Sequence, residues 1–177
     1  LAHFVQSLEE NHELVRIREY VSPNLEITEV ADRMVKNDGK ALLFENNGTG
    51  FPLLINAFAS DRRICMALGV NNLEDIERDL AALLKQFLSP KNSFLDKLKV
   101  LPAMHEVASW MPRSISKRGA CQEVIMEKPD LTKLPVLTCW PADGGPFITL
   151  PGVHTKDPVT GIRNLGMYRM QVFSPDM

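Results

Sequence analysis

The sequence predicts a mixed α/β (α+β) domain over residues 1–115. Over 116–177 it predicts the first strands of an antiparallel, barrel-like β domain. Three observations point there. In the first ninety residues, stretches with apolar residues at helical spacing alternate with short apolar runs, the pattern of a layered α/β structure. From Ser89 the texture changes, with prolines at 90, 102 and 112. Near the end, "DPVTG" (157–161) separates two extended stretches, "FITLPGVHT" and "IRNLGMYRMQVF", which is the signature of a hairpin.

Taken in order, Leu1, Phe4, Val5 and Leu8 recur at helical spacing, and "ELVRIREYV" (13–21) then alternates as a strand does. In "EITEVADRMVKNDGK", Ile27, Val30, Ala31, Met34 and Val35 form one stripe, and Gly39 stands where a helix-terminating glycine belongs. "ALLFEN" (41–46) fits a buried strand, "NGTG" a turn, and "FPLLINAFA" (51–59) a second strand. Ser60 caps a short helix that ends at Gly69. Asn72 caps a longer one carrying Leu73, Ile76, Leu80, Leu83, Leu84, Phe87 and Leu88. The stretch 89–120 wraps the first domain or connects it to the next, and the boundary falls within 112–120. "CQEVIME" (121–127) and 134–139 read as strands that join the hairpin. So few strands leave edges to be paired or covered, and the β domain looks unfinished.

Composition narrows the function. Of 177 residues, 45% are hydrophobic and 24% charged, with a net charge of −2, which is ordinary for a globular chain. Near-neutral charge gives no electrostatic case for nucleic acid or an anionic membrane. No apolar run approaches the roughly 20 residues needed to span a bilayer. The acidic, amphipathic start "LAHFVQSLEENHE" is unlike a signal peptide, and Leu1 in place of Met suggests a cut or renumbered N-terminus. Cys65, Cys121 and Cys139 are widely spaced and odd in number; they read as buried or half-buried free thiols in a reducing compartment, and the chain is taken as cytoplasmic.

Residues able to carry chemistry concentrate in the hairpin. The Asn164 amide oxygen is a hard donor suited to Mg²⁺, Ca²⁺ or Mn²⁺, although one asparagine also serves as an ordinary turn residue. Arg169, between apolar neighbours, either lies exposed or grips a carboxylate with two prongs. Thr149 and His154 lie on the preceding stretch, and "DGGP" (143–146) brings flexible backbone that a ligand could approach. Arg113, Lys117 and Arg118 form a basic cluster that is a solvated face or, more pointedly, an anion contact. No paired acids beside Arg169, no Ser/His/Asp set and no phosphate loop are evident in the sequence.

"DGGPFITLP", "TKDPVTGIRN" and "NLGMYRMQVF", together with "ELVRIREYVSPNLEITEVADRM", "KALLFENNGTGFPLLINAFAS" and "RRICMALGV", closely resemble the UbiD-type decarboxylases, and the resemblance covers essentially the whole chain. It implies a flavin-binding split β-barrel holding prenylated FMN, with the cofactor phosphate bound through Mn²⁺. By position, Asn164 matches a ligand of that metal. Arg169 matches the arginine of a Glu-Arg-Glu catalytic set and contacts the cofactor region. Thr149 and Gly166 fall beside the flavin. The family removes CO₂ from aromatic or unsaturated acids. The wording of "NLGMYRMQVF" favours the quinone-biosynthesis branch and a 4-hydroxybenzoate-type substrate, and the resemblance implies a homo-oligomer. In such chemistry the modified flavin is the electron sink, and the guanidinium of Arg169 clamps rather than donates a proton.

Two expectations follow. Asn164 and Arg169 are an odd number of positions apart, so serving one site requires a bulge or kink at Gly166–Met167. Moreover, the family's remaining metal ligands, a histidine and a glutamate, and both catalytic glutamates match nothing here. None of His3, His12, His105 or His154 falls at that position. The chain therefore reads as an N-terminal fragment cut inside the cofactor barrel and inactive alone. The alternatives are a natural short binding or assembly subunit, or an isolated N-terminal domain of the enzyme.

Overall fold

The computed structural model describes residues 1–89, 94–113 and 115–177. The chain forms two compact units, one comprising Leu1–Ile64 and Glu127–Met177, the other Cys65–Met126. The architecture is mixed α/β, as the sequence predicts.

In the first unit, helix α1 (Ala2–Glu10) leads into strand β1 (Leu14–Tyr20). Helix α2 (Glu26–Lys36) crosses to strand β2 (Ala41–Asn46), and a short strand β3 (Leu53–Ile55) completes a sheet of order β1-β2-β3. β2 runs parallel to β1 and antiparallel to β3. Ala41, Leu42, Leu43 and Phe44 are all buried, because both faces of the central strand are covered. Leu42 and Phe44 pack on Ile27 of α2, while Leu43 shares a groove with Val5 of α1 on the other face.

α2 places acids in its first turn and bases in its last, complementing the helix dipole, with Glu29–Arg33 at 2.7 Å and Asp32–Lys36 at 2.5 Å one turn apart. The stripe expected on α2 holds for Ile27 and Ala31, but Val35 points outward. The helix stop is also shifted by one residue. Asp38, not Gly39, takes the left-handed conformation (φ 50°), its N–H donating to Val35 at 3.2 Å while that of Gly39 reaches Met34 at 2.8 Å. Gly39 is needed for room: a Cβ there would stand 2.9 Å from the Met34 carbonyl oxygen.

β3 is shorter than the strand expected over 51–59. Asn56 turns left-handed (φ 60°) directly after it and spends its amide on the carbonyls of Gly39 and Lys40. Glu13, at the start of β1, accepts from the buried Arg63 at 3.0 Å and pairs with Arg62 at 3.2 Å.

Helix α3 (Asp61–Leu68) is capped by Ser60, whose hydroxyl accepts the Arg63 N–H at 3.3 Å, and is followed by Gly69 at φ 70°. In the second unit, α4 (Leu73–Leu88) starts at a capping box of Asn72 and Asp75. Its apolar face is half-buried at best, with Leu80, Leu84, Phe87 and Leu88 exposed.

Two expectations fail in this unit. The stretch read as a wrap or connector contains a 17-residue helix, α5 (Phe94–Trp110), which runs through Pro102 and buries Val100 and Ala103 three positions apart. Residues 121–127 are not a strand. One 3-10 turn (Ala120–Gln122) is followed by Val124, Ile125 and Met126, which are exposed and lie in no strand. Likewise 134–139 makes only isolated bridges, Leu137 with Phe147 and Asn24 with Thr138. Among the described residues no helix is long and apolar enough to cross a membrane.

Candidate functional site

The hairpin expected around "DPVTG" is present. It consists of β4 (Phe147–Ile148), β5 (Gly152–Lys156), β6 (Arg163–Met167) and β7 (Met170–Gln171), with β4 pairing β7 and β5 pairing β6, both antiparallel. Its turn is built by Asp157, whose carboxylate accepts the N–H groups of Val159 (2.9 Å) and Thr160 (2.5 Å), and by Gly161 at φ 72°. These donors, chiefly the Thr160 N–H and then its hydroxyl, hold the Asp157 carboxyl below the usual carboxylate range.

The bulge expected at Gly166–Met167 is not there. Val153 pairs Gly166 and Gly152 pairs Met167 in unbroken register. The irregularity lies further on and chiefly on the opposite strand, where the three residues Thr149, Leu150 and Pro151 face the two residues Tyr168 and Arg169. Leu150 absorbs the extra residue by turning left-handed (φ 55°), and Pro151 has no N–H with which to continue the ladder.

Each expected site residue can be placed on this frame. Asn164 is exposed, and its Nδ2 lies 3.5 Å from the Tyr168 hydroxyl, leaving its Oδ1 without a partner among the described residues. Gly166 lies between them beneath the Tyr168 ring, which a Cβ at 166 would strike. Arg169 turns the other way. Its Nη2 donates to Asp143 at 2.9 Å, its guanidinium carbon lies 3.8 Å from the centre of the Phe147 ring, and its side chain remains 46% exposed. Thr149, in the bulge, lines a cavity of about 290 Å³ with Leu53, Ile55, Val136 and Phe147. The hairpin thus gathers Asn164 and Gly166 around Tyr168, and Arg169 around Phe147, and no hydrogen bond joins the two sets among the described residues. His154 is exposed, as are Arg113, Lys117 and Arg118.

Two partners escape a reading of the sequence. An acid does lie beside Arg169: Asp143, in the loop whose glycines drew attention. Tyr168 is the neighbour of Asn164. Register alone would set Asp143 opposite Pro175; the 143–144 loop folds back instead, as the Gln171 bond to the Gly144 carbonyl shows. Cys65 is buried and Cys139 half-buried, but Cys121 is exposed, unlike the expectation for the thiols.

Among the described residues no three His, Cys, Asp or Glu side chains gather where they could hold a metal. What the hairpin offers is one hard amide oxygen and one guanidinium whose Nε and Nη1 have no partner among the described residues. These donors suit a cation bridged to phosphate and a carboxylate, and they fit part of a metal-flavin site.

Comparison with known proteins bears on the chain as a whole. Residues 5–83 match the model of the 3-octaprenyl-4-hydroxybenzoate carboxy-lyase N-terminal domain, and 113–177 that of the Rift-related domain of the same carboxy-lyase. The chain belongs to the UbiD family, matching its N-terminal portion. Two uncharacterised proteins, from Aquifex aeolicus and Archaeoglobus fulgidus, are each 49% identical over 99% and 98% of the chain. The chain spans 36% and 35% of their lengths. Among solved structures, the evolved dimeric form of the UbiD-class enzyme HmfF from Pelotomaculum thermopropionicum, in complex with prFMN, superimposes with a TM-score of 0.71 at 28% identity. It covers 98% of this chain and 36% of its own. The closed form of vanillic acid decarboxylase from Sedimentibacter hydroxybenzoicus shares the fold, with a TM-score of 0.71 at 24% identity over 98% of this chain and 35% of its own.

Proposed function

We propose that this UbiD-family chain is the N-terminal part of a non-oxidative decarboxylase that removes CO₂ from an aromatic or unsaturated acid, of the 4-hydroxybenzoate type that feeds quinone biosynthesis. The division at 115/116 separates an α/β domain from the first strands of a split β-barrel. The two family matches, ending at 83 and beginning at 113, support that division. The assembled enzyme is a cytoplasmic homo-oligomer, and residues 1–177 alone are inactive.

The observation that carries the reading is Arg169, a half-exposed guanidinium set over an aromatic ring with its Nε–H unpartnered among the described residues. That guanidinium receives the substrate carboxylate in two-pronged fashion and fixes the acid for loss of CO₂. When the groups are bound, Asn164 would supply one oxygen to Mn²⁺, and Thr149 and Gly166 would border the flavin, where a larger residue at 166 would displace Tyr168. Prenylated FMN, when bound, supplies the electron sink that the departing CO₂ leaves a need for. Its presence in the HmfF complex supports that assignment.

The test is CO₂ release from 4-hydroxybenzoate and from cinnamate by the longer protein loaded with prenylated FMN and Mn²⁺. Turnover is expected there and not from residues 1–177, and Arg169→Ala should lower kcat/KM about 100-fold or more. Turnover by 1–177 alone, or an active Arg169→Ala enzyme, would overturn the reading.

A further inference from the structure

We propose that Asp143 is a positioning residue for Arg169, holding the guanidinium over Phe147 so that its Nε–H stays open to a carboxylate. The identity of that carboxylate rests on the decarboxylase reading; the positioning rests on geometry.

An arginine beside a short strand has several rotatable bonds and, left alone, spreads over many rotamers. Here Asp143 Oδ2 accepts from Nη2 alone, at 2.9 Å, so the bond uses one Nη2 hydrogen and leaves Nε–H and Nη1 without a partner among the described residues. Phe147 lies beneath the same group at 3.8 Å, adding cation–π attraction and keeping water off one face.

The acid itself is held. Its side chain is mostly buried, and its N–H donates to the Trp140 carbonyl at 3.0 Å. The next residue is gripped from β7, since Gln171 Nε2 donates to the Gly144 carbonyl at 2.8 Å. A Cβ at Gly144 would stand 2.9 Å from that nitrogen, so this close approach needs glycine. Arg169, just before β7, and Gln171, within it, therefore clamp the 143–144 loop at two adjacent points. Loop and strand locate each other, and the guanidinium inherits that rigidity.

A mere counter-charge would behave differently, and the difference has a sign. Removing a nearby negative charge should strengthen the attraction of Arg169 for any anion. Removing an orienting partner should weaken two-pronged capture. The experiment titrates benzoate into the 177-residue chain with isotope-labelled arginine, following the Arg169 Nε–H and the ring-current shift of its Cδ protons over Phe147. Benzoate is expected to perturb Nε–H in the unaltered chain. Asp143→Ala should weaken that response at least threefold and erase the ring-current shift, and Asp143→Glu should restore both in part. Unchanged amide signals around Phe44 confirm that the variants fold.

Tighter or unchanged benzoate binding in Asp143→Ala would overturn the proposal, as would no benzoate response at Arg169 in the unaltered chain. If the benzoate results hold while the longer, loaded protein fails to decarboxylate, the function reading falls and the positioning role stands.

Discussion

Strands β2 and β6 are of similar length and both carry large apolar side chains, yet they meet opposite fates. Ala41 to Phe44 are buried without exception, whereas Leu165 and Met167 of β6 are 63% and 67% exposed. Propensity does not separate them; neighbours do. β2 has a strand on each side, α2 over one face and α1 over the other. Among the described residues β6 has one partner strand, β5, and no helix packs extensively on it. One region closes a core from its own sequence, and the other presents apolar side chains to its surface. The candidate site lies wholly in the second region.

The largest effect expected from this contrast is on stability. Phe44→Ala removes a fully buried ring from the centre of the core and should cost about 3–5 kcal/mol in urea unfolding. Leu165→Ala, on the exposed strand, should stay within about 0.5 kcal/mol. A cost above about 2 kcal/mol for Leu165→Ala would break the comparison, because it would mean that the hairpin face is covered in solution.

How much was legible follows the same division. The core could be read because periodicity reports burial where a chain covers itself: Ile27 and Ala31 on α2, and the unbroken run of β2, are local patterns. The missed features depend on a second segment or on packing. Helix α5 was hidden by Pro102, a residue that argues locally against a helix but sits inside this one, next to the buried Val100 and Ala103. The left-handed residue after α2 is Asp38 because Gly39 is needed for space beneath Met34, which spacing alone does not reveal. In the hairpin, parity along one strand raised the right question about Asn164 and Arg169, but the extra residue sits across the ladder at Thr149–Pro151. Pro151 was the available signal. Asp143 lies 26 positions from Arg169, and the two meet because the loop before β4 folds back onto this segment, which no local pattern announces.

A smaller effect sharpens the contrast from the hairpin side. Leu150 is 77% exposed and held at φ 55°, a conformation that costs a branched side chain about 1–2 kcal/mol. Little packing would be lost in Leu150→Gly. Relief of strain, set against the added freedom of glycine in the unfolded chain, should leave a gain of up to about 1 kcal/mol. Hydrogen exchange of the β5 and β6 amides would report it. Slower exchange is expected there with no change at β2, and faster exchange would show that Leu150 packs usefully despite its exposure.

The smallest effect concerns acid. The Asp157 carboxyl is held below its ordinary range by donors that exist only in the folded turn, so its folded pKa lies under its unfolded one. A depressed folded pKa adds stability that is present above the unfolded value, near about 4, and is lost as pH falls through the folded value. Because the group is exposed, the loss should be local: the Thr160 amide, which donates to Asp157 at 2.5 Å, should shift and exchange faster below pH about 4, while the Phe44 amide holds. Asp157→Asn should remove the acid step at Thr160 and leave β2 unaffected. Glu9 and Asp130 are also depressed, by Arg16 and by Thr132 respectively, so whole-chain acid unfolding would mix several groups, and the local amide is the cleaner reporter. If the Phe44 amide opens in step with Thr160, the hairpin and the core unfold as one cooperative body, and their difference in burial would not be a difference in stability.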